Sequence, residues 1–285
     1  MGENALEVRG LTKRYKDFTL DNVSFSVPQG SIVGLIGENG AGKSTTIKAI
    51  LGLVSRDGGS VLTWGSPEIE PGIRDEIGVV FDGSNYPETL TPRQLGRVFA
   101  QTYHAWDQEI YRELLEKFQL PAHKKLKEFS KGMKMKYAIS VAFSHHSRLL
   151  VLDEATSGLD PVMRDEILDM FLDFIQEEDH SILVSSHITS DLEKVADYIV
   201  FIHQGKVVFS EAKDELMENY GIVKCSPAQL AEMDQEDMVA FRKQEYECQV
   251  LVKDRWAVEK RYPGILVAPA SIDEIMLMYV KGERR

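Results

Sequence analysis

SIVGLIGENGAGKSTTIKAILGL, residues 31–53, decides the fold. An apolar run with strand character ends in a glycine-rich loop, and a segment of helical period follows, with Gly52 placed to end the helix. Gly37-Glu38-Asn39-Gly40-Ala41-Gly42-Lys43-Ser44 matches the G-x-x-x-x-G-K-[ST] pattern in full, and Thr45 continues it. Glycines at these positions let the backbone wrap closely, so that successive N–H groups point at phosphate oxygens. The helix start adds a favourable dipole for negative charge. Lys43 supplies a point charge for terminal phosphates, and the Ser44 hydroxyl suits a magnesium ion. A bound nucleoside triphosphate with Mg²⁺ is the expectation.

Outward from that stretch, LEVRGLTKRY (6–15) and TLDNVSFSVPQG (19–30) read as strands, as do GGSVLTW (58–64) and IGVVF (77–81). Residues 87–145 turn helical. Thr91-Pro92 opens one helix. Asp107 caps a second carrying Ile110, Leu114 and Phe118, and Ser130 opens a third with Tyr137, Ala138, Val141 and Ala142 on one face. Strand and helix then alternate again through LLVL (149–152), a helix from Asp160-Pro161, SILVSSH (181–187) and a hairpin over 197–210. Such alternation implies an α/β core with a mainly parallel sheet and a helical insertion. From about Lys213 the chain reads as a small appended α+β unit closing on a helix in SIDEIMLMYVKG (271–282).

The chain has 285 residues with 33 Lys and Arg against 45 Asp and Glu, a net charge of −12. That balance argues against a general nucleic-acid binder, which needs a positive field. Cys225 and Cys248 lie far apart in sequence with no C-x-x-C pair, so neither a metal site nor a disulfide framework is expected, and a reducing compartment is the default. The N-terminus has no apolar signal segment. Gly2 would suit acylation, but Leu6 stands where that motif needs Ser or Thr. No run approaches the roughly 18 apolar residues of a membrane span, so the chain is expected to be soluble, or peripheral to a membrane through another subunit.

Leu149-Leu150-Val151-Leu152-Asp153-Glu154 brings two carboxylates to the end of a buried strand. In open α/β sheets ligands bind at the carboxyl ends of strands, which places this pair beside the phosphate loop. Asp153 suits the magnesium shell and Glu154 the polarisation of an attacking water; a plain strand-to-turn sequence is the alternative. His187, after the run SILVSS, is either a satisfied histidine or one that reaches the terminal phosphate.

These residues together resemble the ATP-binding-cassette (ABC) family over about residues 5–215, with its motifs in order. The resemblance makes residues 37–45 a Walker A loop, 149–154 a Walker B strand with its catalytic glutamate, and Phe129-Ser130-Lys131-Gly132-Met133 the signature usually written L-S-G-G-Q. Tyr15 then corresponds to an aromatic that stacks on adenine, Ser157-Gly158-Leu159-Asp160 to the D-loop, and His187 to the switch histidine. It implies an ATP hydrolase with a RecA-like core, an antiparallel β subdomain and a helical subdomain at about 87–145. Cassette and accessory unit would divide at 1–212 and 213–285. It further implies that Ser130, Lys131, Gly132 and Met133 act on ATP held by an opposite cassette, identical or not. A separate transmembrane permease would be driven from the cytoplasmic face, the subunit being cytoplasmic when isolated.

Two departures stand out. Lys131 and Met133 replace Gly and Gln of the signature, and Asp82 stands where a glutamine usually touches Mg²⁺, so that Asp82 is either a metal contact or a turn residue in Asp-Gly-Ser-Asn. Within the family the chain looks like bacterial exporters of antibiotics, lantibiotics and amphipathic peptides. A soluble cassette ATPase working on nucleic acid or ribosomes, or a degenerate nucleotide-binding regulator, are the alternatives. The C-terminal unit would stabilise a dimer, regulate it, or serve only as a soluble cap.

Overall fold

The computed structural model describes residues 3–67, 71–83, 86–243 and 247–283. Gly2, Ser84 and Asn85 lie outside the described residues. In chain order the elements are β1 (Asn4–Arg14), β2 (Thr19–Pro28), β3 (Ile32–Ile36), α1 (Lys43–Ile50), β4 (Gly58–Thr63), α2 (Pro71–Asp75) and β5 (Ile77–Val80). Three helices follow, α3 (Pro92–Thr102), α4 (Gln108–Lys117) and α5 (Lys131–Ser144), then β6 (Leu149–Asp153), α6 (Pro161–Phe174), β7 (Ser181–Ser186), α7 (Thr189–Val195), β8 (Tyr198–His203) and β9 (Lys206–Ala212). The last stretch holds α8 (Lys213–Asn219), β10 (Gly221–Cys225), α9 (Pro227–Glu232), β11 (Ala240–Lys243), β12 (Cys248–Val252), α10 (Arg255–Arg261), β13 (Leu266–Pro269) and α11 (Ile272–Lys281).

The central sheet has the order β5-β6-β7-β3-β8-β9, parallel except for the edge strand β9. β3, β6 and β7 are buried along their whole length, as parallel strands covered on both faces must be. Their side chains divide by the strand period of two. Ile32, Ile36, Leu150, Leu152, Ile182 and Val184 join one core with α5, α6 and α7. Val33, Leu35, Leu149, Val151 and Leu183 face the other way, against α1 and the antiparallel sheet β2-β1-β4.

Helices α3 to α5 enclose an aromatic cluster of their own around Phe99, Tyr111, Phe129 and Tyr137. Thr91 and Gln94 form a capping box at α3, and Asp107 caps α4. Tyr111 and Leu115 are buried, whereas Ile110, Leu114 and Phe118 are half-buried and line a groove toward Met170 and Phe174. The buried Tyr111 hydroxyl bonds the Pro92 carbonyl at 2.8 Å and the Tyr137 hydroxyl at 2.9 Å, tying α4 to α3 and α5.

A third sheet, β11-β12-β10-β13, is antiparallel throughout, and its βαββαβ connectivity is that of ferredoxin-like units. Val223, Cys225, Cys248 and Val250 on one side pack with Leu230 and Val258 of its helices. Ile222 and Leu251 on the other join Ile272, Ile275 and Met278 of α11 in the same core as the central sheet. Cys225 and Cys248, distant in sequence, are opposite each other on β10 and β12, buried and free.

Candidate active site

The parallel strands deliver their functional residues to one edge. After β3 the chain enters the glycine loop, where the geometry excludes side chains. A Cβ on Gly37 would stand 2.3 Å from the Ile202 carbonyl, and Gly42 sits at φ +116°, close beneath the Phe18 ring. Gly42 also precedes α1 without a side-chain cap, so the first amides of the helix stay available to an anion. The Lys43 ammonium is buried under the loop. It donates to the Gly37 carbonyl at 2.7 Å and the Glu38 carbonyl at 3.3 Å, and lies 3.2 Å from Glu154 Oε1.

β6 and β7 supply the acidic part. Asp153 is 5% exposed, and its Oδ1 accepts from the Ser44 hydroxyl at 3.0 Å and the Ser185 hydroxyl at 2.6 Å. Ser44 and Asp153 thus offer a hydroxyl and a carboxylate at one point, a hard-oxygen donor set that fits Mg²⁺. Glu154 has φ +56°, a left-handed conformation that costs a non-glycine residue about 1–3 kcal/mol. Ser185 holds it there, because the Glu154 amide donates to both the carbonyl and the hydroxyl of Ser185 at 3.1 Å. The kink turns the carboxylate between Lys43 and His187, whose Nδ1 is 2.5 Å from Glu154 Oε2.

These groups open on a cleft of about 710 Å³ lined by Asp17, Phe18, Asn39, Gly40, Gly42, Lys43, Ser44, Thr45, Asp82, Glu154, Ser157 and His187. That volume falls within the range of small-molecule sites, about 300–1,000 Å³. A cation held by loop carbonyls, amides free at a helix start, and a carboxylate beside an imidazole can bind a phosphate chain and polarise a water next to it.

Other sequence candidates are placed elsewhere. Tyr15 is 47% exposed outside the cleft lining, with the Lys13 ammonium 5.6 Å from its ring centre; Phe18 is the aromatic that lines the cleft. Ser130 caps α5, its hydroxyl accepting from the Met133 amide at 3.2 Å, and neither it nor Gly132 lines the cleft. Asp160 caps α6, accepting from the Val162 and Met163 amides. Ala41 is buried beneath the loop, and Glu38 turns to His203, 2.6 Å from its Nδ1. Asp82 does line the cleft, and its carboxylate pairs with the Lys131 ammonium of the same chain at 2.7 Å. Thus the two departures from the family pattern meet each other.

Sequence reasoning passed over Ser185. Its signal was a pair of serines closing the strand after Ile182, Leu183 and Val184, the first of them in register with Asp153 on the neighbouring strand. Among the described residues no cluster of metal-binding side chains of the His, Cys, Asp and Glu type occurs, and no helix is long and apolar enough to cross a membrane.

Comparison with known proteins agrees with this geometry. The ABC transporter family model matches residues 20–157. The lantibiotic transport ATP-binding protein SrtF of Streptococcus pyogenes is 35% identical over 223 residues, covering 75% of this chain and 96% of that protein. The bacitracin transport ATP-binding protein BcrA of Bacillus licheniformis is 33% identical, over 71% of this chain and 68% of its own length. A solved ATP-binding subunit of an ABC transporter superposes with a TM-score of 0.67 at 32% identity, covering 74% of this chain and 91% of the other. The chain belongs to the ATP-binding proteins of ABC transporters, which are ATPases.

Proposed function

We propose that this subunit hydrolyses ATP between two cassettes and drives a separate membrane permease that exports peptides or antibiotics. The observation that carries the catalytic part is the Lys43–Glu154–His187 chain at the mouth of one cleft. In this reading the loop amides of residues 37–45 and Lys43 bind the phosphates, and Tyr15 and Phe18 border the base. Ser44 and Asp153 would hold Mg²⁺, which would supply positive charge to offset that of the phosphate chain. Glu154 orients and polarises the attacking water, and His187, bonded to it, faces the terminal phosphate. Nucleotide displaces Lys43 from Glu154, freeing the carboxylate for the water.

Ser130 to Met133 lie outside the cleft lining, which supports their acting on the ATP of a second cassette arranged head to tail, with Asp160 at the same boundary. Export as the direction, and peptides or antibiotics as cargo, rest on the names of the relatives: lantibiotic transport, bacitracin transport and, in Mycobacterium tuberculosis, fluoroquinolone export. The helical residues 87–145 would receive the permease. Residues 1–212 form the cassette and 213–285 an accessory unit.

The test is steady-state ATPase activity of the purified chain against Glu154→Gln, with sizing in the presence and absence of Mg²⁺-ATP. Loss of at least about 10²-fold, the low end for a missing general base, with an ATP-dependent dimer in the variant, is the expected result. Two proteins that bind ATP yet neither dimerise nor differ in turnover would overturn it.

A further inference from the structure

The helix α7 begins two residues after His187, and Ile188 before it supplies no side-chain cap. Its position is set from two sides. On one side is α11, the last element of the C-terminal unit. The Thr189 hydroxyl donates to Asp273 Oδ1 at 2.8 Å, and the Ile272 amide donates to Glu193 Oε1 at 3.0 Å. Both ends of α7 are therefore bonded to the first turn of α11, across a shared apolar core. On the other side Asp191 Oδ2 lies 3.8 Å from Arg164 Nε, and neither atom has a hydrogen-bond partner. Arg164 also donates to the Leu159 carbonyl at 3.2 Å, in the segment that precedes Asp160.

We infer that the C-terminal unit positions the catalytic histidine: Asp273 holds Thr189, and through α7 fixes where His187 stands relative to Glu154. This rests on the proposed role of His187. The physical warrant is economy of freedom. A seven-residue helix is too short to be stable alone, so whatever binds its first turn determines the chain direction just before it. His187 is half-exposed and bonded to Glu154, and Thr189 is buried at the other end of a two-residue connection. The bond to Asp273 is charge-assisted and partly buried, the kind that holds geometry. The open Asp191–Arg164 contact leaves α7 a second attachment toward the Asp160 segment, so that movement of the C-terminal unit is transmitted to both. Asp273 is a positioning residue in this scheme and touches no substrate.

The experiment uses the full chain with Asp273→Ala, Thr189→Val, Asp273→Asn and His187→Ala, reading kcat, KM for ATP, nucleotide Kd and thermal midpoint. Ser271 and Glu274 still cap α11 in the Asp273 variants. Expected is a kcat loss of up to about 10²-fold in Asp273→Ala and Thr189→Val, the scale of a remote misplacement, with KM and Kd unchanged. Asp273→Asn keeps an oxygen for the Thr189 hydroxyl and retains most activity. Adding Asp273→Ala to His187→Ala should cost nothing further. An unchanged kcat in Asp273→Ala, or losses that multiply with His187→Ala, overturns the coupling. An active His187→Ala protein overturns the role of His187 itself, and so separates that failure from this one.

Discussion

The edge where β3, β6 and β7 end and the start of α5 are both assigned to phosphate in the proposed reading, yet they are built differently. At the strand edge Lys43 and Asp153 are buried, and the groups are already bonded to one another: Lys43 to the loop carbonyls, Asp153 to Ser44 and Ser185, Glu154 to the half-exposed His187. At the start of α5 Ser130 is exposed, bonded only to its own helix among the hydrogen bonds that it makes here, and Lys131 is turned to Asp82. The first region can be assembled by one chain, because parallel strands fix it from beneath. The second reaches its own cleft only through the Lys131–Asp82 pair, and in the proposed reading it is half a site that a second cassette completes.

The largest effect that tests this contrast is complementation. Lys43→Ala removes the phosphate cation. Ser130→Asp keeps an N-cap but sets a negative charge against an incoming phosphate. Each alone is expected to lose at least about 10²-fold in ATPase rate, the scale of one missing electrostatic contact in a transition state. Mixed together, the two proteins should recover activity, because a head-to-tail pair contains one site with both parts intact. If the mixture stays as inactive as its components, the start of α5 serves its own chain and the contrast fails.

The same contrast governs what was legible beforehand. The phosphate loop and the strand end are local in sequence, and their chemistry demands particular residues at fixed spacing, so Lys43, Ser44, Asp153 and Glu154 were readable, with the parallel sheet that carries them. Ser185 was not, because its role depends on standing in register with Asp153 on a separate strand. The Lys131–Asp82 pair joins positions 49 apart in the chain, and neither residue alone announces the other.

That ion pair gives the next prediction, of intermediate size. Asp82 and Lys131 are 46% and 43% exposed, so their attraction is worth up to about 1 kcal/mol, or about fivefold. Lys131→Gln leaves the Asp82 charge unpaired beside the phosphates, and should weaken Mg²⁺-ATP affinity by up to that factor. Asp82→Asn in the same chain should restore it. Titration of nucleotide binding in the single and double variants decides. Should Asp82→Asn by itself abolish turnover, Asp82 contacts the metal, and Lys131 only partners it between cycles.

The smallest effect concerns how the helical region is attached. His145 at the end of α5 is buried, stacked on Tyr103 at 4.3 Å, with its Nδ1 2.7 Å from the Asp75 carbonyl. Burial holds its pKa below the ordinary 6.5, against a smaller opposing effect of that hydrogen bond. The unfolded chain therefore takes up a proton at a higher pH than the folded one does. The stability from neutral His145 is whole above about pH 6.5 and declines as pH falls. Asp75, held low chiefly by its hydrogen bond with His104, changes in the same direction at more acid pH. Hydrogen exchange at pH 5.5 compared with pH 7.5 should then show α3 to α5 losing protection while β3, β6 and β7 keep theirs. Equal loss in both regions would mean that the helices and the sheet open as one unit, and that the division between a preformed edge and an adaptable helical arm does not hold for the free subunit.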